Sequence, residues 1–352
     1  MTHLDVISIG SAMRDIFILN KDLLCQNAKI CHPFNPQNIG SKITVKKIHS
    51  DIGGGGTNSA ATFSNMGFKT ALLSQVADDT SGKEVLQTME KFKVNTSLVN
   101  INKKQETGYS VIFINKSGDR TALIFRGASD FKKFKLGKID LRANWFFITS
   151  LNANLVFLNK IFKIAQKNKI KIAWNPGTSE LSLGHNKLKN LLKSTCVLLL
   201  NLKEAQELTK LKNDDIKSIF SKISILAPKA IVCITAGQNG AWIMDPGNYE
   251  QELLSKRSIA KKPNEKKSAS SIIYYANILN KKVVNSTGAG DAFGAGFVSG
   301  LKLYKNDIKK SLQLAMLNSN SVVTKMGAKH GLLKKPPTKK MLTRIKIRIH
   351  KT

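Results

Sequence analysis

Acidic residues are scarce in this 352-residue chain, which has 23 Asp and Glu against 56 Lys and Arg and a formal net charge of +33. Such a surface attracts polyanions, so nucleic acid is the first partner to consider. The lysines are spread along the chain instead of gathering in one motif, and Lys, Asn and Ile are all abundant, as in proteins from AT-rich genomes. We therefore attribute the charge to composition, and a dedicated nucleic-acid function is the alternative.

Cysteine is also rare, and the four thiols show no paired metal-ligand spacing. Cys196 and Cys233 lie in apolar, strand-like runs, which favours buried thiols in a reduced, cytoplasmic protein. No apolar run approaches the roughly 20 residues that span a bilayer, and no secretory signal precedes the apolar segment at Leu4. Membrane insertion is not expected, whereas 42% hydrophobic residues suffice for a substantial core.

Two common nucleotide-binding motifs are absent. The chain contains no G-x-x-x-x-G-K-[ST], which excludes a P-loop kinase. The first predicted strand is Leu4–Ile9, and the segment 10–15 that follows it lacks the G-x-G-x-x-G spacing of a dinucleotide site. Phosphate chemistry in this chain therefore needs another kind of anion-binding turn.

The stretch 285–291, Asn-Ser-Thr-Gly-Ala-Gly-Asp, is such a turn. We predict that a strand ends at 283–284 before it and that a closely packed helix of small residues follows it. The free N–H groups and positive dipole of a helix start can hold an anion, and glycine lets the backbone approach the ligand.

The carboxylate of Asp291 would repel phosphate, so it suits a general base better than a phosphate ligand. In that interpretation the charge on a transferred phosphoryl group is held by the amides of Gly288, Ala289 and Gly290. On the local sequence alone, an ordinary helix N-cap explains Asp291 equally well.

Two motifs together resemble the signatures of the ribokinase-like, phosphofructokinase-B-type carbohydrate kinases. Residues 285–291 resemble the second signature, usually Asp-Thr-x-Gly-Ala-Gly-Asp, and residues 53–67 resemble the first, a glycine loop followed by Asn and small residues. Both stand in the family's order, and the resemblance runs from Asp5 to about Leu332. It implies a three-layer, Rossmann-like α/β fold with a mostly parallel central sheet, helices on both faces and a small β-sheet lid.

The chain's own pattern agrees with this fold class. From Trp145 onwards, short apolar runs alternate with helical periods, which indicates a parallel sheet covered on both faces. We expect a kinase domain over 1–332, with lid strands drawn from about 16–19, 43–50 and 107–126. An inserted loop over 25–40 and a basic, solvated insertion near 256–267 interrupt it. The basic tail over 333–352 has three open interpretations: disorder, a nucleic-acid arm or an extra edge strand.

The resemblance implies a sugar site made by Asp15, Gly54, Gly55 and Asn58. A carboxylate that accepts two hydroxyl hydrogen bonds suits a polyol, although Asp15 alone reads more simply as a turn or cap residue. The family's Asn two residues earlier is Met13 here, so either the substrate's polar pattern differs at that point or another residue supplies the contact. A nucleoside is the close alternative, because Met13 and Phe17 could pack a base. A phosphosugar would need a cation, for which the candidates are Arg14, Arg120 and Arg126.

The resemblance also implies ATP and Mg²⁺. Asn201 and Glu204 resemble the family's Asn-x-x-Glu motif, in which Glu204 would organise Mg²⁺ through water, as magnesium's retained hydration favours. The same spacing also satisfies a plain capping box. The remaining nucleotide contacts that the resemblance implies are Thr235, Gly237, Gly240, Asn318 and Gly327. Asn285 and Thr287 stand where the family holds a monovalent cation, but an amide is a weaker ligand than the usual carboxylate, so K⁺ activation is doubtful.

We therefore expect an ATP-dependent phosphotransferase that acts on the primary hydroxyl of a sugar. A nucleoside kinase is the first alternative. An inactive kinase scaffold that binds nucleic acid or another polyanion is the second, and the intact Asp291 opposes it. We also consider a homodimer formed through the lid.

Overall fold

The structure is a computed structural model that describes residues 3–19, 42, 44–114, 120–131, 134, 141–247, 271–279 and 283–351. The predicted loop over 25–40 and the basic insertion near 256–267 lie outside these residues. None of the helices that the structure describes combines the length and the apolar character that a membrane crossing requires.

The described residues form strands that fall into two sheets. In chain order the strands are β1 (Leu4–Ile9), β2 (Met13–Leu19), β3 (Lys47–Gly53), β4 (Thr70–Ala77), β5 (Val99–Asn102), β6 (Gly108–Ile114), β7 (Arg120–Phe125), β8 (Ala143–Ile148), β9 (Lys171–Trp174), β10 (Val197–Asn201), β11 (Ile231–Thr235), β12 (Ala241–Asp245), β13 (Ile272–Ala276) and β14 (Ile347–Lys351).

The large sheet has the order β14-β13-β12-β11-β10-β9-β8-β1-β4-β5. Its strands run parallel from β5 to β11, and the last three, β12, β13 and β14, are antiparallel. Parallel strands end at the same edge of the sheet, and their side chains alternate between the two faces. On β1, for example, Val6 enters the core on one face and Ile7 the core on the other.

Helices cover both faces of this sheet. In chain order they are α1 (Gly55–Asn65), α2 (Thr80–Lys91), α3 (Leu155–Lys167), α4 (Thr178–Leu181), α5 (His185–Ser194), α6 (Leu202–Thr209), α7 (Ile216–Leu226), α8 (Ala289–Leu303), α9 (Ile308–Val322) and α10 (Lys339–Leu342). Helices α3, α5, α6 and α7 bury apolar side chains in one core, and α1, α8, α9 and α10 do so in the other. The predicted three-layer α/β architecture is confirmed.

The second sheet is the predicted lid, with the order β3-β2-β6-β7. Its strand β3 begins at Lys47 and runs to Gly53, so the prediction of a strand from 43 placed its start too early. Strand pairing sets Asp51, Asp15, Ser110 and Ile124 in one row on one face of the lid. The loop after α9 covers that face, because Met326 packs against the buried side chains around Phe17.

Two predicted boundaries near the glycine turn were wrong. Val283 and Val284 are not in a strand, and both lie partly exposed beside the turn. Helix α8 begins at Ala289 instead of at Asp291, because Gly288 adopts the left-handed conformation that places it at the cap position.

The basic tail forms part of the fold as an edge strand, which was one of its three interpretations. Strand β14 pairs antiparallel with β13, and Gln313 Nε2 donates a hydrogen bond of 2.9 Å to the carbonyl oxygen of Ile345. Leu342 and Ile345 are buried in the core beneath α8 and α9. The tail therefore closes one end of the sheet.

This role of the tail predicts different effects for two isoleucines. Ile345→Ala should lower the free energy of unfolding by about 2–5 kcal/mol, because its side chain is 1% exposed and the cavity left behind is apolar. Ile349→Ala, at a side chain that is 52% exposed, should change it by less than about 0.5 kcal/mol. Urea unfolding of both variants measures the difference, and equal losses would contradict a structural role for the tail.

Candidate active site

The glycine turn packs against the loop that follows α9. Gly288 has a φ of 78°, and a Cβ at this position would lie 2.6 Å from the Cβ of Ala328. Only glycine fits such a close approach in a left-handed conformation. A Cβ on Gly290, by contrast, would meet no atom within 4 Å, so the turn is open on that side.

Asp291 is the third residue of α8 and lies at this open side. Because Gly288 occupies the cap position, the simple N-cap interpretation of Asp291 is wrong. Its carboxylate lines a cavity at the edge of the sheet and accepts a hydrogen bond of 2.9 Å from Asn58 Nδ2. A carboxylate on the first turn of a helix also lies close to the positive end of the helix dipole.

Asn58 itself lies between Asp291 and a lysine that the sequence analysis missed. Lys329 Nζ donates a hydrogen bond of 2.6 Å to Asn58 Oδ1 and another to the carbonyl oxygen of Ile52 on the lid strand β3. Both ends of the Asn58 amide are thus engaged by the protein. The only sequence signal for Lys329 is its place directly after Gly327 and Ala328, and one more lysine among so many basic residues attracts no notice.

The ammonium group of Lys329 is almost completely buried, with 4% of the residue exposed. Burial lowers the pKa of Lys329, although the carboxylates of Asp51, Asp15 and Asp291 favour its charged form and oppose that change. Three carboxylates thus act on the charge of Lys329 at the junction of α1, α8 and the lid.

The other predicted sugar-binding residues lie on the same side of the junction. Asp15 is buried on the lid and accepts a hydrogen bond from Ser110 Oγ. Gly53 lies directly against the Asp15 carboxylate, because a Cβ there would overlap it and displace that side chain. Gly54 has a φ of 97° and lies against the end of β1, and Gly55 lies beside Thr149. The glycine loop therefore brings Asp15 and Asn58 together at the start of α1.

A first cavity, of about 180 Å³, opens beyond the carboxyl ends of β9, β10 and β11. It is the position at which ligands bind in parallel α/β sheets. The polar side chains that line it are Asn175, Asn201, Glu204, Thr235 and Asp291.

Asn201 and Glu204 form a complete capping box at the start of α6. Asn201 Oδ1 accepts from the Glu204 N–H at 2.9 Å, and Glu204 Oε2 accepts from the Asn201 N–H at 2.8 Å. The pKa of Glu204 is raised to about 7, chiefly by burial; the Asn201 N–H opposes this shift, and the carboxylates of Glu207, Asp291 and Glu180 add to it. A group of carboxylates that disfavour one another's charge suits a divalent cation, so the donor set fits Mg²⁺.

A second cavity, of about 360 Å³, adjoins the first and shares Thr235, Gly290 and Phe293 with it. The predicted loop residues Thr235, Gly237 and Gly240 line it on one side. Apolar side chains line the rest, and they come from Ile278, Leu279, Val283, Met316 and Val323. A polar rim at the glycine turn with an apolar far end matches the outline of a nucleotide.

Two residues predicted to contact the nucleotide have other partners. Asn318 is completely buried, where its Nδ2 donates to the carbonyl oxygen of Ala292 at 2.9 Å and its Oδ1 accepts from the Leu333 N–H at 3.0 Å. Gly327 lies against Asp51 of the lid, since a Cβ there would lie 2.2 Å from Asp51 Oδ2. Neither residue lines the second cavity, which instead takes Ser319 and Asn320 from α9.

The two residues considered for a monovalent cation are arranged differently from a cation site. Asn285 Oδ1 accepts hydrogen bonds from the N–H and the Oγ1 of Thr287, at 3.0 and 2.8 Å. The Nδ2 of Asn285 is buried without a hydrogen-bond partner, and it is a donor. This donor set does not fit a bound cation.

A family model and a known protein match most of this chain. The family described as pfkB family carbohydrate kinase matches residues 4–335. An uncharacterized sugar kinase of Archaeoglobus fulgidus is 27% identical over 273 residues, which are 76% of this chain and 97% of that protein.

Solved structures show the same fold at low sequence identity. Ribokinase of Arabidopsis thaliana, solved with ribose and ATP, has a TM-score of 0.71 and 19% identity, with 97% of this chain and 98% of that chain covered. A nucleoside kinase of Methanocaldococcus jannaschii has a TM-score of 0.68 and 20% identity, with 97% of both chains covered. Since the family match spans residues 4–335, this chain belongs to the pfkB family of carbohydrate kinases, and the sugar kinase class predicted from the sequence is confirmed.

Proposed function

We propose that this chain transfers the γ-phosphoryl group of ATP to a primary hydroxyl of a sugar, with Asp291 as the general base. The observation that carries the proposal is the position of Asp291. It lines the first cavity, it is hydrogen-bonded to the sugar-side residue Asn58, and it follows Gly290, which lines both cavities. A base at this point reaches an acceptor on one side and a phosphate on the other.

The reaction needs little covalent chemistry from the protein. Asp291 takes the proton of the acceptor hydroxyl, the hydroxyl oxygen forms a bond to the γ-phosphorus, and the bond from that phosphorus to the β–γ bridging oxygen breaks to release ADP. The N–H groups at the start of α8 point towards the transferred group and stabilise its charge. The open side of Gly290 leaves room for this approach.

Mg²⁺ would be held beside Asn201 and Glu204, through water, and would neutralise charge on the nucleotide phosphates. The apolar far end of the second cavity would receive the adenine ring. The acceptor, by contrast, would be bound and oriented by Asp15 and Asn58 at the lid junction.

The charges at this junction favour a neutral acceptor. Three carboxylates, those of Asp15, Asp51 and Asp291, lie close enough to favour the charged form of Lys329. Arg14, a candidate for binding a phosphosugar, is instead paired with Glu84 at 2.5 Å on the opposite side of the lid. An acceptor that already carries a phosphate would be repelled, so a free sugar fits the site better.

A nucleoside is the second candidate acceptor, and one side chain favours it. The side chain of Ile124 is 54% exposed. Ile124 pairs with Ser110, and Ser110 pairs with Asp15, so Ile124 and Asp15 share one face of the lid. A base could pack on this apolar surface. Phe17 cannot serve in this way, since its side chain is completely buried on the inner face of the lid.

Asp291→Asn should lower kcat by roughly 10²–10⁴-fold, because the amide cannot accept the hydroxyl proton. The measurement is ADP release from ATP·Mg²⁺ with a panel of sugars, nucleosides and sugar phosphates. Asp214→Asn, at an exposed carboxylate beside α7, is the matched control and should retain full activity. If no acceptor turns over above the Asp291→Asn background, the kinase proposal fails and polyanion binding is the next function to test.

Lys329→Met should raise the KM for the acceptor more than the KM for ATP. The substitution leaves Asn58 Oδ1 and the Ile52 carbonyl without their donor, and both lie on the acceptor side. A charged hydrogen bond of about 1.5–3 kcal/mol corresponds to a loss of roughly 10- to 100-fold in kcat/KM for the acceptor. Lys325→Met, at an exposed lysine of the same segment, is the control. A loss confined to ATP would place Lys329 on the nucleotide side.

We also propose that two copies of this chain associate through the outer face of the lid. Ile48, Leu123 and Phe125 expose 58%, 44% and 52% of their surface there. Ile48 pairs with Ile18, and the neighbouring residues His49 and Phe17 pair with each other and face inwards. Because successive side chains of a strand point to opposite faces, Ile48 faces outwards. Ile48 lies on the edge strand β3, and Leu123 and Phe125 lie on the opposite edge strand β7. Exposed apolar side chains on one face of a small sheet are typical of an association surface.

Ile48→Glu should therefore shift the protein from dimer to monomer, as measured by sedimentation velocity. Ile225→Glu introduces the same charge at an apolar side chain of α7 that is 74% exposed, and it should leave the sedimentation coefficient unchanged. A wild-type protein that sediments as a monomer at micromolar concentration would rule out this association.

A further inference from the structure

Two histidines and an aspartate converge at the edge of the lid, outside the cavities described above. His49 and Asp51 lie two residues apart on β3, so their side chains point to the same face of the strand. Pairing with Phe17 and Asp15 identifies this face as the inner one. His330 comes from the loop after α9, which crosses the same face.

The spacing of the three side chains matches that of ligands around one ion. One ligand atom from each of the three residues can be chosen so that all lie within 4.8 Å of one another. His330 Nε2 is 3.5 Å from Asp51 Oδ2, which is too long for a good hydrogen bond. Ligands about 2.1 Å from a tetrahedral ion are roughly 3.4 Å apart, so this pair already has the separation that an ion requires.

Two of these ligand atoms are buried without a hydrogen-bond partner. They are His49 Nε2 and Asp51 Oδ2, and buried polar atoms of this kind are normally satisfied. The other oxygen of Asp51 accepts the Ile52 N–H at 2.8 Å, which orients the carboxylate. The nearby ammonium of Lys329 is directed to Ile52 and Asn58, so it does not satisfy Asp51 Oδ2.

We propose that His49, Asp51 and His330 bind a divalent transition-metal ion, with Zn²⁺ as the best match, and that the ion ties the lid to the loop after α9. Two imidazoles and one carboxylate suit Zn²⁺, whereas Mg²⁺ and Ca²⁺ prefer an all-oxygen set. The side chain of His330 is 58% exposed, which leaves the fourth position open to water.

The position of this site gives the ion a structural consequence. Asp51 is the direct cross-strand neighbour of Asp15, and Lys329 precedes His330 in the loop. An ion at this point therefore holds β3 and the loop together beside the acceptor side of the junction. The site shares no residue with the Asn201 and Glu204 pair, so the two cations would bind independently.

The test measures metal binding and does not depend on kinase activity. The full chain is stripped with a chelator and titrated with Zn²⁺ against a chromophoric competitor, and with Co²⁺ as a spectroscopic substitute. We expect one tight equivalent of Zn²⁺, an intense visible Co²⁺ band typical of four-coordination, and a rise in Tm with Zn²⁺ that millimolar Mg²⁺ does not reproduce.

His330→Gln should weaken Zn²⁺ binding by more than roughly 100-fold, the upper range for loss of a mere outer-shell partner, and should abolish the Co²⁺ band and the Tm rise. Asp51→Asn should do the same. His185→Gln, at an exposed histidine on α5, is the matched control and should bind like the wild type.

Either of two results would overturn the proposal. One is a wild-type protein that binds no Zn²⁺ at micromolar concentration. The other is His330→Gln binding as tightly as the wild type, which would assign the metal to different residues. Because the His330 side chain is largely exposed, its substitution tests the site even if Asp51→Asn does not fold.

Discussion

A single chain of hydrogen bonds joins two regions that are far apart in the sequence, one with Ile52 and Asn58 and the other with Asp291 and Lys329. Asp291 on α8 accepts from Asn58 on α1, and Asn58 accepts from Lys329, which also donates to Ile52 on the lid. The partners are 233, 271 and 277 residues apart along the chain. Buried charges of this kind are stable only when they are paired and hydrogen-bonded. The positions of the proposed base, of the acceptor side and of the lid therefore depend on one another.

The parallel sheet supplies the other half of the site. Because strands β9, β10 and β11 end at one edge, Asn175, Asn201 and Thr235 meet there, although each is separated from the next by two helices. The turn before α8 lies across that edge, and Gly288 can approach the loop after α9 only because it lacks a Cβ. Packing of two backbones thus sets the position of Asp291 at the first cavity and of Gly290 at both cavities.

The loop after α9 does more than its sequence suggests. Within five residues it packs Met326 under the lid, places Gly327 against Asp51, supports the glycine turn with Ala328, and delivers Lys329 and His330 to the junction. It is one of the segments through which the lid contacts the core. Any cation bound between His330 and the lid strand would act on this same contact.

The sequence by itself determined the α/β class, the enzyme family and the residues of the two signature motifs, because glycine turns and apolar periodicity are local properties. It also indicated that Asn201 and Glu204 form a capping box or a metal motif, and the structure shows that the capping box is present. Only the tertiary structure showed Lys329 at the junction, gave Asn318 and Gly327 their actual partners, and joined the basic tail to the sheet. The reason is physical: burial and charge neighbours arise between segments hundreds of residues apart, and no local pattern records which lysine loses its water or which strand edge is left to pair.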